Sequence, residues 1–283
     1  MTMRLRLNAA GLTDVGLERE HNEDAIFYIV TRNARDEPVG LFIVADGVGG
    51  QLAGERASRW AVAAAHESLR DLLSPPGPGQ TEPAGSDRTP ILAPLRFGAT
   101  RPADRDSLRQ RVLRAVQAAN RTVRAQAQAQ PAEAGNAGTT LTMALVYGDL
   151  AMIANVGDSR TYLLRGGETR QITRDHSLIA GLVASGNVKP EDAYTHPVRN
   201  VIVRSLGREA EVEVDLFIEQ LYSSDTLLLC SDGLWEMVRE DALLASTMSG
   251  AATSMDACRA LIAAANDTGG VDNISAIVVR VEA

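Results

Sequence analysis

Short runs of apolar, often β-branched residues recur along this 283-residue chain and predict its strands. They are AIFYIV at 25–30, LFIVAD at 41–46, TLTMALVY at 140–147, LAMIANV at 150–156, TLLLCSD at 226–232 and ISAIVVRV at 274–281. Ala-rich segments with helical periodicity lie near 55–73 and 107–128, and a pair of helices lies near 240–266. Because strands and helices come in groups and do not alternate one by one, the order predicts an α+β fold with helices covering sheets.

The length and the composition favour one catalytic domain over residues 1–283. With 45% hydrophobic residues, the chain can bury a substantial core. Residues 74–106 are dense in Pro and Gly and lack periodicity. We expect this stretch to be a long loop or a disordered insertion, and not a second domain.

Charge and cysteine content exclude several classes of function. A formal net charge of -8 argues against nucleic acid or a membrane surface as the partner, because those partners need a basic face. Cys230 and Cys258 are far apart, so neither a disulfide framework nor a zinc site is indicated. No segment has the apolar length of a signal peptide or a membrane span. We therefore expect a soluble, cytoplasmic protein.

Three predicted strands carry an aspartate at one tip. Asp46 and Asp232 close their strands, and Asp272 opens the last one. Buried carboxylates that converge repel each other strongly unless a cation lies among them. Oxygen ligands favour Mg²⁺, Mn²⁺ or Ca²⁺ over Zn²⁺. Taken singly, each aspartate could equally form an Asx turn or a helix N-cap.

Two neighbouring segments fit the chemistry of an ion or a phosphate. Gly47, Gly49 and Gly50 follow Asp46 and would let the backbone approach an ion or a phosphate, although a plain strand-to-helix turn also uses such glycines. Upstream, Arg19-Glu20-His21-Asn22-Glu23-Asp24 combines a guanidinium that can grip a phosphate with acidic groups that can orient metal-bound water. A charged, solvated loop is the alternative for this segment.

Seven short motifs follow one another in an order that resembles the metal-dependent (type 2C, PPM) Ser/Thr protein phosphatases of bacterial type. They are Arg19-x-x-x-Glu23-Asp24, Asp46-Gly47-Val48-Gly49-Gly50, Gly138-Thr139-Thr140, Gly157-Asp158-Ser159-Arg160, Asp175-His176-Ser177, Ser231-Asp232-Gly233-Leu234 and Asp272-Asn273. The resemblance runs from about Gly11 to the C-terminus and is interrupted by the Pro-rich stretch. Seven ordered motifs are far more specific than any one of them.

The resemblance implies a fold, a site and a reaction. The fold is an α-β-β-α sandwich of two antiparallel sheets with helices outside and two Mg²⁺ or Mn²⁺ ions at one end. Asp46 would bridge the ions, the Gly47 carbonyl would join one, Asp232 and Asp272 would complete the site, and Arg19 would bind the phosphate. A water activated by both ions would attack phosphorus directly, without a phosphoenzyme. The residues expected around these ligands are Glu23, Asp24 and Asn273.

Val48 is a departure from the animal members of the family, which often carry a histidine there as the proposed general acid. Val48 cannot donate a proton, so the acid is unassigned. His21 is a weak candidate, and a solvent-exposed histidine is the alternative.

Gly157-Asp158-Ser159 reads as the tight turn of a hairpin between LAMIANV and RTYLLR. Asp158 is then a turn residue. By resemblance it would instead hold a third, weaker ion together with Asp232, near a flap at about 175–207. The flap sequence predicts a short helix that starts near Ser177 and stops at Gly186.

The expected partners are phosphorylated proteins and a cognate Ser/Thr kinase, and the expected state is a monomer. A dedicated regulator of one small partner protein would use the same chemistry. A phosphatase-like binding module without significant catalysis is the alternative from another class. Such a module is expected to lack a metal aspartate or the arginine, whereas Arg19, Asp46, Asp232 and Asp272 are all present.

Overall fold

The computed structural model describes residues 4–50, 52–73 and 105–283. The strands are β1 (Arg6–Asp14), β2 (Asp24–Arg32), β3 (Pro38–Val48), β4 (Gly138–Thr139), β5 (Leu141–Tyr147), β6 (Leu150–Val156), β7 (Arg160–Arg165), β8 (Glu168–Gln171), β9 (Asp215–Gln220), β10 (Thr226–Cys230) and β11 (Ile274–Glu282). The helices are α1 (Leu52–Leu73), α2 (Arg105–Ala129), α3 (Pro131–Ala134), α4 (Leu178–Ala184), α5 (Asp232–Trp235), α6 (Asp241–Gly250) and α7 (Ser254–Asp267), with a 3-10 helix at Pro190–Thr195.

The strands form two antiparallel sheets that pack face to face. One sheet has the order β1-β11-β10-β7-β8, and the other has the order β2-β3-β5-β6-β9 with β4 paired to β3. Side chains alternate along a strand, so Phe42 and Val44 of β3 point into the space between the sheets, where they meet Leu229 and Ile277. The burial of these apolar side chains stabilises the pairing of the sheets.

Helices cover the outer face of each sheet. Leu41 and Ile43, which alternate with the residues just named, pack under α1 and α2. Helix α1 presents Ala57, Ala61 and Ala65 to this layer at four-residue spacing, and such small side chains let a helix lie close to a sheet. Helices α6 and α7 cover the β10 and β11 face. The four layers confirm the predicted α-β-β-α sandwich.

The predicted hairpin at Gly157-Asp158-Ser159 is wrong. Strand β6 pairs with β5 and β9, whereas β7 pairs with β10 and β8 in the other sheet. The segment at 157–159 therefore crosses between the sheets. Hydroxyl pairs connect the two sheets beside this crossing, with Oγ1 of Thr140 2.7 Å from Oγ of Ser159. The prediction failed because two successive apolar strands have the same sequence pattern whether they pair in one sheet or lie in two stacked sheets.

Several predicted boundaries shift. Strand β3 continues through Asp46 to Val48, because Gly47 and Val48 pair with β4. Asp232 does not end a strand: β10 stops at Cys230, and Asp232 begins helix α5. Of the predicted insertion at 74–106, residues 74–104 lie outside the described residues, and the last two begin helix α2. Strands β1, β4, β8 and β9 were not predicted.

Across the ranges 4–50, 52–73 and 105–283, no helix combines the length and the apolar character needed to cross a membrane.

Candidate metal centre

Five aspartates from both sheets meet at one end of the sandwich. Asp24 begins β2 and lies opposite Asp46 in the ladder with β3. Asp232 follows β10, and Asp272 precedes β11. Asp158 lies in the crossing between β6 and β7. The charges of the other four all raise the pKa of Asp46, which shows that the structure brings the predicted aspartates together.

Burial raises the pKa of Asp24, Asp46, Asp158 and Asp232. Burial together with the charges of Asp232 and Asp272 raises the pKa of Asp24 to about 8, and burial together with the charge of Asp272 raises the pKa of Asp232 to about 7. Burial and then the charge of Asp232 raise the pKa of Asp46 and of Asp158 well above the ordinary range. The fold therefore assembles carboxyls that resist ionisation unless positive charge is supplied.

Three of these carboxyls carry a buried oxygen that accepts no hydrogen bond. The atoms are Oδ1 of Asp24, Oδ1 of Asp158 and Oδ1 of Asp232. A buried acceptor without a partner is costly, so each marks a place for a ligand, a water or a cation. The donors are hard carboxylate oxygens, and their mutual repulsion is relieved by a divalent cation. These residues therefore fit Mg²⁺ or Mn²⁺.

The carboxylates do not form a complete cage by themselves. In the described part of the chain, no group of three or more His, Cys, Asp or Glu side chains is arranged to hold a metal ion. An ion here would also need backbone carbonyl and water ligands, as Mg²⁺ commonly does when one or two carboxylates bind it.

Gly47 lies where a backbone carbonyl can serve this purpose. Its N–H donates to the carbonyl of Glu23 at 3.1 Å, and a Cβ at position 47 would overlap the carbonyl of Gly54 in helix α1. A Cβ at Gly54 would in turn lie 2.8 Å from the Gly47 oxygen and would overlap Oε2 of Glu23. The close approach of β3 and α1 thus needs glycine at both positions. It places two acceptors, the Gly47 carbonyl oxygen and Oε2 of Glu23, beside the start of α1.

Arg19 and Asn273 fix the segment that precedes β2. Nη2 of Arg19 donates to Oδ2 of Asp272 at 2.6 Å, and the arginine side chain is 52% exposed, so part of its guanidinium faces solvent. Asn273 is buried. It accepts the N–H of Glu23 at 2.8 Å and donates to the carbonyls of Val15 and His21, both at 2.9 Å. Asn273 therefore holds this segment against the beginning of β11.

The two residues considered for proton donation differ in surroundings. His21 is exposed, and its backbone carbonyl, not its imidazole, accepts a hydrogen bond from Asn273. Val48 ends β3 and is partly exposed. No described hydrogen bond links either side chain to the aspartates.

Several site residues were missed from the sequence. Ser231 and Ser275 donate to Oδ2 of Asp24 at 2.8 and 2.6 Å. Trp235 donates its indole N–H to the carbonyl of Asp158 at 2.9 Å. The only sign in the sequence that Ser231 and Trp235 belong to the site was that both lie within four residues of Asp232.

Arg160 stacks on Trp235 with its guanidinium carbon 3.5 Å from the ring centroid. The same guanidinium forms a bidentate ion pair with Asp175 at 2.6–3.2 Å. Asp175 lies at the start of the predicted flap, so this stack connects the flap to the turn that carries Asp158.

The segment at 175–207 contains the predicted short helix. Ser177 caps α4 by accepting the N–H of Ala180 at 3.3 Å, and Gly186 follows the helix with a φ of +74°. A cavity of about 550 Å³ separates α4 from the body of the molecule, where Trp235 and Glu236 line it. This segment therefore borders the aspartate site.

The model of the protein phosphatase 2C family matches residues 18–266. The chain belongs to the protein phosphatase 2C family. It is 36% identical over 276 residues to the serine/threonine phosphatase stp of Listeria innocua, a match that covers 97% of this chain and 96% of that protein. These findings confirm the resemblance to metal-dependent protein Ser/Thr phosphatases.

Solved structures of the protein phosphatase 2C type share the fold. The Mycobacterium tuberculosis serine/threonine phosphatase PstP/Ppp superposes with a TM-score of 0.76 at 33% identity and covers 98% of this chain and 99% of its own. A PstP catalytic domain in complex with two manganese ions gives a TM-score of 0.75 at 32% identity and covers 99% and 100%.

Proposed function

We propose that this protein phosphatase 2C chain hydrolyses phosphoserine and phosphothreonine esters of proteins with the help of Mg²⁺ or Mn²⁺ ions. One observation carries the proposal: buried and half-buried aspartates from both sheets converge, and three of them carry an unpartnered buried oxygen. A related phosphatase, PstP, binds two manganese ions. A pair of such ions supplies an activated water and offsets negative charge on the phosphoryl group.

Four residues are proposed to hold the two ions. Asp46, on which the charges of the other four aspartates all act, would contact both ions. The Gly47 carbonyl supplies a neutral oxygen to one ion, since the packing against Gly54 fixes that peptide. Asp232 and Asp272 complete the set. Asp158, whose Oδ1 lacks a partner, would hold a third ion with Asp232.

Arg19 is proposed to bind the substrate phosphate. Its ion pair with Asp272 aims the guanidinium at the aspartate site, and its exposed part retains N–H groups for phosphate oxygens. Glu23, Asp24 and Asn273 support the site. Asn273 fixes the backbone of Glu23, and the two serine hydroxyls fix one oxygen of Asp24.

We also propose that the enzyme acts in the cytoplasm as a monomer and opposes a Ser/Thr kinase on shared targets. Cys230 and Cys258 are buried free thiols, which suits a reducing compartment. Light scattering of the purified chain tests the monomer.

The activity is tested by phosphate release from a phosphothreonine peptide with Mn²⁺, with Mg²⁺ and with excess EDTA. We expect release with either ion and none with EDTA. Asp232→Ala should lose activity by several orders of magnitude, while Asp225→Ala, which alters an ion pair with Arg165 outside the site, should keep it. Full activity in EDTA would refute the metal-dependent mechanism.

A further inference from the structure

The turn that carries Asp158 is held on two sides. Gly157 has a φ of +105°, and a Cβ there would lie 2.6 Å from Cβ of Thr140, so the turn packs directly on the strand below it. On the other side Trp235 donates to the carbonyl of Asp158. The N–H of Gly157 is a further polar group of the turn that needs a partner.

His176 supplies that partner. Gly157 N donates to Nδ1 of His176 at 3.1 Å, and His176 N donates to the carbonyl of Gly157 at 2.9 Å. The histidine is 8% exposed. Because the chain fixes the direction of a backbone N–H, Nδ1 must be the acceptor and carries no proton. The neutral imidazole then has its proton on Nε2.

On the other side of the ring, Nε2 faces the carboxylate of Asp215 and the guanidinium of Arg204. Nε2 lies 3.4 Å from Oδ1 of Asp215, a carboxylate that can accept its proton. Nη1 of Arg204 lies 2.9 Å from Nε2 and donates to the same Asp215 oxygen at 3.1 Å; because a guanidinium only donates, it forms no hydrogen bond with a protonated Nε2. Burial and then the Arg204 charge lower the pKa of His176, which favours the neutral ring.

The same histidine belongs to the base of the flap, the segment at 175–207. The carbonyl of His176 accepts the N–H of Val203 at 2.9 Å, and Ser177 bridges to Ile202. The side chain thus contacts the Gly157 turn while the backbone pairs the two ends of the flap. A displacement of the Gly157 turn or of the flap would therefore be transmitted to the other through His176.

We propose that His176 is a positioning residue of the phosphatase, which fixes the Gly157–Asp158 turn through Nδ1 and links it to the flap. The inference rests on the proposed role of Asp158 as a ligand of a third ion. His176 acts through the turn by keeping the Asp158 carboxylate directed at the position that it shares with Asp232.

A matched pair of substitutions isolates the acceptor. In His176→Asn the amide oxygen can occupy the place of Nδ1 and accept the Gly157 N–H. In His176→Gln the longer side chain places its amide near the position of Nε2, and the acceptor for Gly157 is lost. Both variants are polar and uncharged: His176→Asn keeps the acceptor for Gly157, whereas His176→Gln keeps the contacts of Nε2 with Asp215 and Arg204.

We expect His176→Gln to raise the Mn²⁺ concentration for half-maximal activity by about fivefold to tenfold, as loss of one buried hydrogen bond would. His176→Asn should stay within about twofold of wild type. Electron paramagnetic resonance of bound Mn²⁺ should show that His176→Gln retains two ions and loses a weak third one. Equal behaviour of the two variants, whether both match wild type or both are impaired, would overturn the proposal.

The tautomer of wild-type His176 gives a test that needs no variant. Long-range ¹H–¹⁵N correlation spectra of the labelled protein should show the proton on Nε2. A proton on Nδ1 would overturn the proposal even if His176→Gln failed to fold.

The outcomes also separate this inference from the proposed function. Wild type without any Mn²⁺-dependent hydrolysis would refute the proposed function itself. Mn²⁺-dependent hydrolysis together with a wild-type titration of His176→Gln would refute the role of His176 alone.

Discussion

Asp24 and Asp46 face each other across the antiparallel ladder of β2 and β3, with Asp24 buried and Asp46 half-buried. Like charges directly opposite each other destabilise a sheet, so this pair lowers the stability of the metal-free protein. The hydroxyls of Ser231 and Ser275 fix one oxygen of Asp24 and leave the other without a partner. The fold thus maintains a carboxyl pair whose repulsion a cation would relieve.

The metal-free protein should lose stability as pH rises from about 4 to about 8. The pKa of Asp24 rises from 3.8 to about 8 on folding, so the folded chain binds this proton more tightly than the unfolded chain. The resulting stability is complete below the unfolded pKa and is lost as pH passes the folded pKa, at up to about 1.4 kcal/mol per pH unit for each such group. Urea unfolding in EDTA measures this slope. Asp24→Asn should flatten it, and a rise in wild-type stability over this range would contradict the assignment.

Gly47→Ala should destabilise the protein by about 1–3 kcal/mol, because a methyl group would overlap the Gly54 carbonyl in well-packed surroundings. Gly181→Ala is the matched control. Gly181 lies in helix α4 with open space around its Cβ position, so this change should stabilise by about 0.5–1 kcal/mol. Thermal unfolding compares the two. Equal stability of both variants would show that β3 and α1 are not in close contact at Gly47.

Arg19→Ala should raise KM for a phosphothreonine peptide by about tenfold, the effect of losing roughly one charge-assisted hydrogen bond. It should not weaken Mn²⁺ binding measured by calorimetry, because the change frees Asp272 from its ion pair. Arg35→Ala is the control, since Arg35 lies in the turn at the other end of β2 and β3. An unchanged KM would remove Arg19 from the phosphate site.

Asp158→Asn separates a ligand from a turn residue. The amide keeps the size of the side chain and removes its charge. We expect a higher Mn²⁺ requirement and lower turnover, while the two principal ions stay bound through the remaining aspartates. Steady-state rates across a Mn²⁺ titration decide the matter, since curves that superimpose on wild type would leave Asp158 as an ordinary turn residue.

The sequence predicted the layers well where hydrophobic patterning was strong. Strand β6 has the predicted bounds, Leu150–Val156, because its residues are almost all buried. Strands β8 and β9 were missed, since ETRQ and DLFIEQ are only partly buried and their polar residues hide the strand pattern.

Contacts between distant residues account for what the sequence did not predict at the site. Trp235 and the Asp158 carbonyl are 77 residues apart, and no spacing rule joins them. The Asp175-His176-Ser177 motif was visible in the sequence, but its role depends on the crossing of the chain at Gly157, which local patterning assigned to a hairpin. Local patterning placed the aspartates only one by one, and it was the resemblance to the phosphatase family that predicted that Asp46, Asp232 and Asp272 converge.

The most direct test of the account is the turnover number of Asp46→Ala on a phosphothreonine peptide in saturating Mn²⁺. Asp46 lies among all the other site carboxyls, and its removal also relieves their crowding, so the folded structure should persist in circular dichroism. We predict that turnover falls by about three orders of magnitude or more relative to wild type. A well-folded Asp46→Ala enzyme with near wild-type turnover would contradict the account.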